Sequence, residues 1–93
     1  MPSVVATLKL KEDKLEEAHA FLKQLAAGVR ADEPGTLAYV LHQRRGDPHT
    51  VIVYEKYESD EAFALHGKNL AAKGAEFMSV LAGPPEVVVL DEM

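Results

Sequence analysis

Glu55, Tyr57 and His66 place a carboxylate, a phenol and an imidazole in one short segment, VYEKYESDEAFALHGKN (residues 53–69). Glu55 and Tyr57 are two positions apart, so in a β-strand they share one face. His66 follows on a helical stripe, three residues after Phe63, and tilts toward that face. An imidazole titrates near neutrality, so it can act as a base that a nearby carboxylate tunes. The spacing predicts a small pocket that contains these groups, and His66 and Glu55 are its candidate catalytic residues.

Neighbouring side chains would complete this pocket. Val53 shares the face of Glu55, Tyr39 pairs across from Glu55 if the connecting turn has three residues, and Asn69 lies near the rim. The expected substrate-binding residues are therefore Tyr39, Tyr57, Asn69, Val53 and Phe63. A plainer interpretation stays open, because a histidine on an apolar helical face is often a buried residue satisfied by one carboxylate or carbonyl. Tyrosine also packs well in strands, so both tyrosines can be core residues.

Apolar periodicity predicts the elements that position these side chains. Alternation from Ser3 to Leu10 predicts a first strand. Asp13 then stands at a helix-capping position, and Glu33-Pro34-Gly35 ends the helix that follows. One face of this helix is apolar and consists of Leu15, Ala18, Phe21, Leu22, Leu25 and Val29.

The middle of the chain predicts an antiparallel hairpin. Thr36–Arg45 and His49–Tyr57 alternate as strands on either side of a turn at Gly46-Asp47-Pro48. With this three-residue turn, Leu37 pairs across from Tyr57, as Tyr39 does with Glu55.

The last part of the chain predicts a helix and a strand. Ser59 is a favourable N-cap for a helix that continues to Leu81, with a break expected at Gly67. Val87–Leu90 is the final strand. The order β-α-β-β-α-β predicts the ferredoxin-like α+β fold, a four-stranded antiparallel sheet with both helices on one face. We expect a single domain over residues 1–93.

The sheet face away from the helices is predicted to be apolar. If Leu37, Tyr39 and Leu41 face the helices, the residues that face away are Ala38, Val40, Ile52 and Tyr54, and the last strand is apolar on both sides. A large exposed apolar patch marks an interaction surface. We therefore expect a homodimer in which the open sheet faces meet around a two-fold axis; a monomer with some exposed valines is the alternative.

Composition excludes several classes of function. The formal net charge is -5, without the clustered Lys and Arg of a nucleic-acid-binding surface. The absence of cysteine excludes disulfides, iron–sulfur clusters and thiol nucleophiles. No two of the four histidines have the i, i+4 helical spacing of many metal sites, so no metal is expected. Neither a signal peptide nor a membrane-spanning run is recognisable, so we expect a cytoplasmic protein without membrane contact.

Two segments, EPGTLAYVL (33–41) and VIVYEKYESDEAFALH (51–66), resemble the antibiotic biosynthesis monooxygenase family of dimeric α+β barrel proteins. The positions that match the family pattern are Gly35, Leu37, Tyr39, Glu55, Ser59, Ala62 and His66. The chain departs from the pattern at Tyr57, where the family usually has Trp, and at Ala71, where many members have a second His.

The resemblance implies one of several activities. Members include cofactor-free oxygenases of polycyclic phenols, isomerases of small oxo compounds and proteins without an established activity. Haem degradation is disfavoured because the later helix offers no convincing axial ligand, so no cofactor is expected. The leading hypothesis is cofactor-independent monooxygenation of a phenolic or quinol-like small molecule. The alternatives are a proton-transfer isomerase of a small oxo compound and a non-catalytic small-molecule-binding dimer.

Overall fold

The computed structural model covers residues 1–93 and contains four strands and three α-helices. The strands are β1 (Pro2–Lys9), β2 (Thr36–Arg44), β3 (Asp47–Tyr57) and β4 (Glu86–Asp91). The helices are α1 (Leu15–Asp32), α2 (Asp60–Ala71) and α3 (Gly74–Val80), and a 3-10 turn at Glu12–Lys14 precedes α1.

The strands form one antiparallel sheet in the order β2-β3-β1-β4. The predicted ferredoxin-like α+β fold is confirmed, because β1 and β3 are the central strands and the helices cover one face of the sheet. The predicted apolar stripe of α1 is also confirmed, since Ala18, Phe21, Leu22, Leu25 and Val29 are all buried against the sheet.

The hairpin register is as predicted near Glu55 and differs at both ends. Tyr39 pairs with Glu55, which confirms that predicted contact. The predicted pairing of Leu37 with Tyr57 is wrong, because a bulge lies between Thr36 and Ala38 and Thr36 pairs with Tyr57 instead. Such a bulge places an extra residue in one strand, so Leu37 is half exposed and does not face the helices.

The hairpin turn is shorter than predicted. Residues 45–46 form the turn, and Asp47 and Pro48 belong to β3 rather than to the turn. Gly46 has a φ angle of 82°, which a glycine adopts without the steric cost that a side chain would impose. A register shift between Gln43 and Arg44 absorbs the difference, so the pairing farther along the hairpin is unaffected.

Two helix boundaries also differ from the prediction. Asp13 does not cap α1: it lies inside the 3-10 turn, and no side chain caps the helix. Gly67 does not break α2, which continues to Ala71; a turn at residues 72–73 then separates it from α3. Ser59 is the N-cap of α2 as predicted, because its hydroxyl accepts a hydrogen bond from the Ala62 N–H at 3.1 Å.

A close backbone approach anchors the start of α2 beside the start of β2. A Cβ atom built on Gly35 would lie 2.7 Å from the Cβ of Ala62, so only glycine fits there without displacing α2. The N–H of Glu58 also donates to the carbonyl of Gly35 at 2.9 Å. These contacts fix the helix that carries His66 relative to the chain segment that begins at Glu33.

The face of the sheet opposite the helices carries the apolar row that the alternation predicts. Val40, Tyr54, Val5 and Val88 are cross-strand neighbours and span all four strands. Every residue of β4 is exposed, including Val88 at 51%.

Candidate active site

A carboxylate at the end of α1 holds the imidazole of His66. Glu33 is the C-cap of α1, and its Oε1 atom lies 2.9 Å from Nδ1 of His66. Both side chains are buried, with 5% and 6% of their surface exposed for His66 and Glu33, respectively. A carboxylate accepts hydrogen bonds, so this contact favours the tautomer of neutral His66 that carries its proton on Nδ1. The Nε2 atom is then the basic nitrogen.

The Glu33 carboxylate is itself held from two sides. The Thr36 hydroxyl donates to its Oε1 atom and the Asn69 amide donates to its Oε2 atom, each at 3.3 Å. These bonds link the ends of α1, β2 and α2, so the orientation of His66 depends on all three elements.

The other ring nitrogen of His66 faces a second carboxylate. Oε1 of Glu55 lies 3.8 Å from Nε2, beyond hydrogen-bond distance. The same Glu55 oxygen accepts a hydrogen bond of 2.5 Å from the hydroxyl of fully buried Tyr57. His66 also packs against both tyrosine rings, with centroid distances of 5.2 Å to Tyr39 and 5.6 Å to Tyr57. The imidazole is therefore fixed on one side by a hydrogen bond and on its faces by aromatic contacts.

Burial sets the protonation of the groups around His66. Desolvation raises the pKa of Glu55, partly offset by the Tyr57 hydrogen bond and the positive charge that His66 can carry. Burial also raises the pKa of Tyr39 and of Tyr57, and the nearby carboxylates add to both shifts. Both phenols therefore stay protonated at neutral pH and act as hydrogen-bond donors.

A cavity of about 190 Å³ opens between the helices and the sheet beside His66. Its polar side chains are Tyr39, Glu55 and His66. The remaining lining is apolar apart from Gly67 and comprises Val4, Ala6, Leu8, Val53, Phe63, Leu70, Phe77, Pro85 and Val87. We call this space the inner cavity. Five of the predicted site residues line it, namely His66, Glu55, Tyr39, Val53 and Phe63.

The two other predicted site residues lie outside the inner cavity. Tyr57 does not line the cavity, and its hydroxyl donates a hydrogen bond to Glu55. Asn69 is exposed and lines a separate polar groove of about 320 Å³ between α1 and α2, together with Asp32, Glu33 and Lys73. We call this groove the outer groove. His66 borders both spaces, so it separates the apolar inner cavity from a polar one.

Two further properties of the chain bear on possible ligands. No three His, Asp or Glu side chains are grouped in a way that could hold a metal ion. None of the helices combines the length and the apolar character of a transmembrane span.

Comparison with known proteins identifies the family of this chain. Residues 1–76 match the antibiotic biosynthesis monooxygenase family. This chain belongs to that family. A proposed antibiotic biosynthesis monooxygenase from Caulobacter crescentus CB15 is 36% identical, with a TM-score of 0.90 over 99% of this chain and 89% of its own. YcnE of Bacillus subtilis (strain 168), a proposed monooxygenase, is 29% identical over 85 residues, which are 89% of this chain and 88% of YcnE.

The solved structure of PA3566 from Pseudomonas aeruginosa is also similar. It is 26% identical, with a TM-score of 0.82 over 99% of this chain and 93% of its own. Membership of the antibiotic biosynthesis monooxygenase family indicates monooxygenase chemistry and leaves the substrate of this chain to be inferred from its own site.

Sequence reasoning missed one residue in this family member, namely Glu33. In the sequence, Glu33 is recognisable only as part of the turn that ends α1, and Glu55 is the expected partner of His66. The structure instead places Glu33 on Nδ1 and leaves Glu55 at 3.8 Å from Nε2. A signal was available, because Glu33 begins the segment EPGTLAYVL that carries the family resemblance.

Proposed function

We propose that this protein is a cofactor-independent monooxygenase that oxidises a phenolic or quinol-like small molecule in the inner cavity. In this proposal His66 is the base and Glu33 is the residue that positions it. Glu55 lies on the cavity wall opposite Nε2 of His66, and Tyr57 fixes Glu55 without touching the substrate.

The observation that carries the proposal is the asymmetry of His66. Its Nδ1 atom is hydrogen-bonded to Glu33, whereas Nε2 makes no hydrogen bond. No fully buried side-chain nitrogen or oxygen lacks a partner, so Nε2 is not sealed in the core. A buried base with one free nitrogen beside an apolar cavity favours a reaction site over a structural histidine, whose polar atoms would be satisfied within the fold.

The reaction requires few protein groups besides this base. Nε2 takes the O–H proton of the substrate, and the Glu33 carboxylate stabilises the imidazolium that forms. The resulting phenolate is electron-rich and reacts directly with dioxygen in a cavity whose walls are mostly apolar. For a phenol, one oxygen atom bonds to a ring carbon and the other leaves as water, giving a quinone. The phenol supplies all four electrons, so no external reductant is needed.

Oxygen consumption by the isolated protein tests the proposal. A panel of phenols and quinols is added to protein that contains no metal or flavin. We expect one molecule of dioxygen to be consumed for each molecule of substrate. His66→Gln should abolish turnover, whereas His42→Gln, at an exposed position on the open face of the sheet, should retain it. A panel without any turnover, or activity that returns only with added metal or flavin, would contradict the proposal.

The second candidate function is proton-transfer isomerisation of a small oxo compound. It is favoured by the carboxyl of Glu55, which lies 3.8 Å from Nε2 and whose pKa burial raises, so that it is a candidate for the acid. His66 would remove a proton from one carbon, and Glu55 would return one at another position. Turnover under strictly anaerobic conditions would support isomerisation, and a strict requirement for dioxygen would exclude it.

We also propose that two copies associate through the open face of the sheet. The proposal is supported by the apolar row of Val40, Tyr54, Val5 and Val88 and by the exposure of β4. Sedimentation equilibrium should show a dimer that Tyr54→Lys dissociates. A matched substitution on the exposed side of α1, Ala27→Lys, should leave the mass unchanged, and a monomeric wild-type protein would refute the association.

A further inference from the structure

We propose that the substrate is a single-ring phenol whose one oxygen is bound by the hydroxyl of Tyr39 and faces Nε2 of His66. This inference rests on the proposed function and specifies its substrate class. It excludes polycyclic phenols and rings with polar groups at both ends.

The size of the inner cavity limits the number of rings. The cavity has a volume of about 190 Å³. An apolar cavity of about 150 Å³ holds benzene, whereas pockets for larger organic ligands occupy roughly 300–1,000 Å³. One substituted aromatic ring therefore fits within the apolar walls, whereas a fused ring system would extend beyond them through the partly open side of the cavity.

The hydroxyl of Tyr39 is the free hydrogen-bond donor of the cavity. Tyr39 is 6% exposed and lines the cavity, yet its hydroxyl makes no hydrogen bond to another residue. Because no fully buried polar side-chain atom lacks a partner, this hydroxyl retains access to the cavity. Its ring lies against that of His66, with centroids 5.2 Å apart, and both side chains line the cavity, so we expect both to contact one substrate oxygen. The phenol of Tyr39 would donate to the phenolate while His66 takes its proton.

The other groups explain why only one end of the ring can carry a polar group. The Glu55 oxygen nearest to His66 is occupied by Tyr57, and Asn69 lies in the outer groove. The remaining walls are formed by apolar side chains, such as those of Val4, Leu8 and Phe77. A polar group at the end of the ring away from Glu55, His66 and Tyr39 would lie against these walls without a partner, which disfavours binding.

A binding series with the wild-type protein tests the size limit. Dissociation constants for phenol, 4-methylphenol and 1-naphthol are measured by NMR chemical-shift titration, with His66 and Tyr39 resonances as the reporters. We expect phenol and 4-methylphenol to bind and 1-naphthol to bind at least ten-fold more weakly. Equal or tighter binding of 1-naphthol, or no binding of any of the three, would overturn the inference.

A second comparison tests the role of the hydroxyl. Tyr39→Phe should weaken phenol binding about five-fold, which corresponds to one hydrogen bond of about 1 kcal/mol, and should leave toluene binding unchanged. Tyr54→Phe, on the open face of the sheet, should change neither. If Tyr39→Phe weakens toluene and phenol alike, the ring only packs and the inference fails. If the variant does not fold, equal affinity of wild-type protein for phenol and toluene overturns the role of the hydroxyl, and tighter phenol binding supports it.

These outcomes separate this inference from the proposed function. Single-ring phenols that bind as expected but are never oxidised would refute the monooxygenase proposal and leave the binding inference standing. Oxidation of polycyclic phenols alone would refute the inference and leave the monooxygenase proposal standing.

Discussion

Replacing Glu33 by alanine should destabilise the fold by unpairing a buried histidine. In the wild-type protein Oε1 of Glu33 lies 2.9 Å from Nδ1 of His66, and the His66 side chain is 5% exposed. Alanine removes the only protein partner of Nδ1, and water in the outer groove would have to replace it. Leaving a buried polar group unsatisfied costs about 1–3 kcal/mol. Thr36 and Asn69 also lose a partner, but the exposed Asn69 can bond to water instead.

The expected loss in the free energy of unfolding is therefore about 2 kcal/mol. For a chain of this size, each kcal/mol lowers the melting temperature by roughly 4–8 °C. Glu33→Ala should thus melt roughly 8–16 °C below wild type. Glu33→Gln keeps an acceptor for Nδ1 and should lose less than Glu33→Ala.

Urea unfolding followed by circular dichroism measures this difference, and Asp32 provides the matched control. Asp32 is the preceding residue, is exposed and makes no side-chain hydrogen bond or ion pair. Asp32→Ala should change stability by less than about 0.5 kcal/mol. If Glu33→Ala is as stable as Asp32→Ala, the contact with His66 does not contribute to holding the site, and the assigned role of Glu33 is wrong.

Three further predictions concern other parts of the chain. Burial raises the folded-state pKa of Glu55, so the unfolding free energy of the wild-type protein falls as pH rises from the ordinary carboxyl pKa of about 4.3 through that raised value. Glu55→Gln lacks this titrating group, so its unfolding free energy should rise relative to that of wild type between pH 4 and pH 8. A difference in unfolding free energy that stays constant over this range would contradict this. Gly35→Ala should lower the melting temperature markedly, because its Cβ would meet Ala62 at 2.7 Å; an unchanged melting temperature would show that α2 shifts without cost. Gly67→Ala should stabilise α2 by about 1 kcal/mol in urea unfolding, since open space surrounds the position and glycine is a poor helix former; destabilisation would show that the added methyl group is not accommodated.

The sequence predicts well whatever depends on local periodicity. Alternation places the strands, the apolar stripe of α1 is buried as expected, and Ser59 caps α2 through its own hydroxyl. The hairpin register at Tyr39 and Glu55 also follows from local pattern, because the strands alternate throughout. These features require no knowledge of distant parts of the chain.

The features that the sequence does not predict depend on tertiary contacts. The bulge at Leu37 accompanies the tight approach of Gly35 to Ala62, which periodicity does not reveal. Gly67 is a poor helix former, yet the helix continues through it, because neighbouring residues of α2 pack against the sheet. Glu33 and His66 are 33 positions apart, and they meet only because the end of α1 lies beside α2.

The most direct measurement of the central claim is the fate of oxygen in a single turnover. Metal- and flavin-free protein is mixed with 4-methylphenol and phenol in turn under dioxygen labelled with oxygen-18, and product and water are analysed by mass spectrometry. We predict one labelled oxygen atom in the product and one in water with the wild-type protein, and no labelled product with His66→Gln. Unlabelled product, or equal labelling by wild type and His66→Gln, would contradict the assignment of His66 as the base of a cofactor-independent monooxygenase.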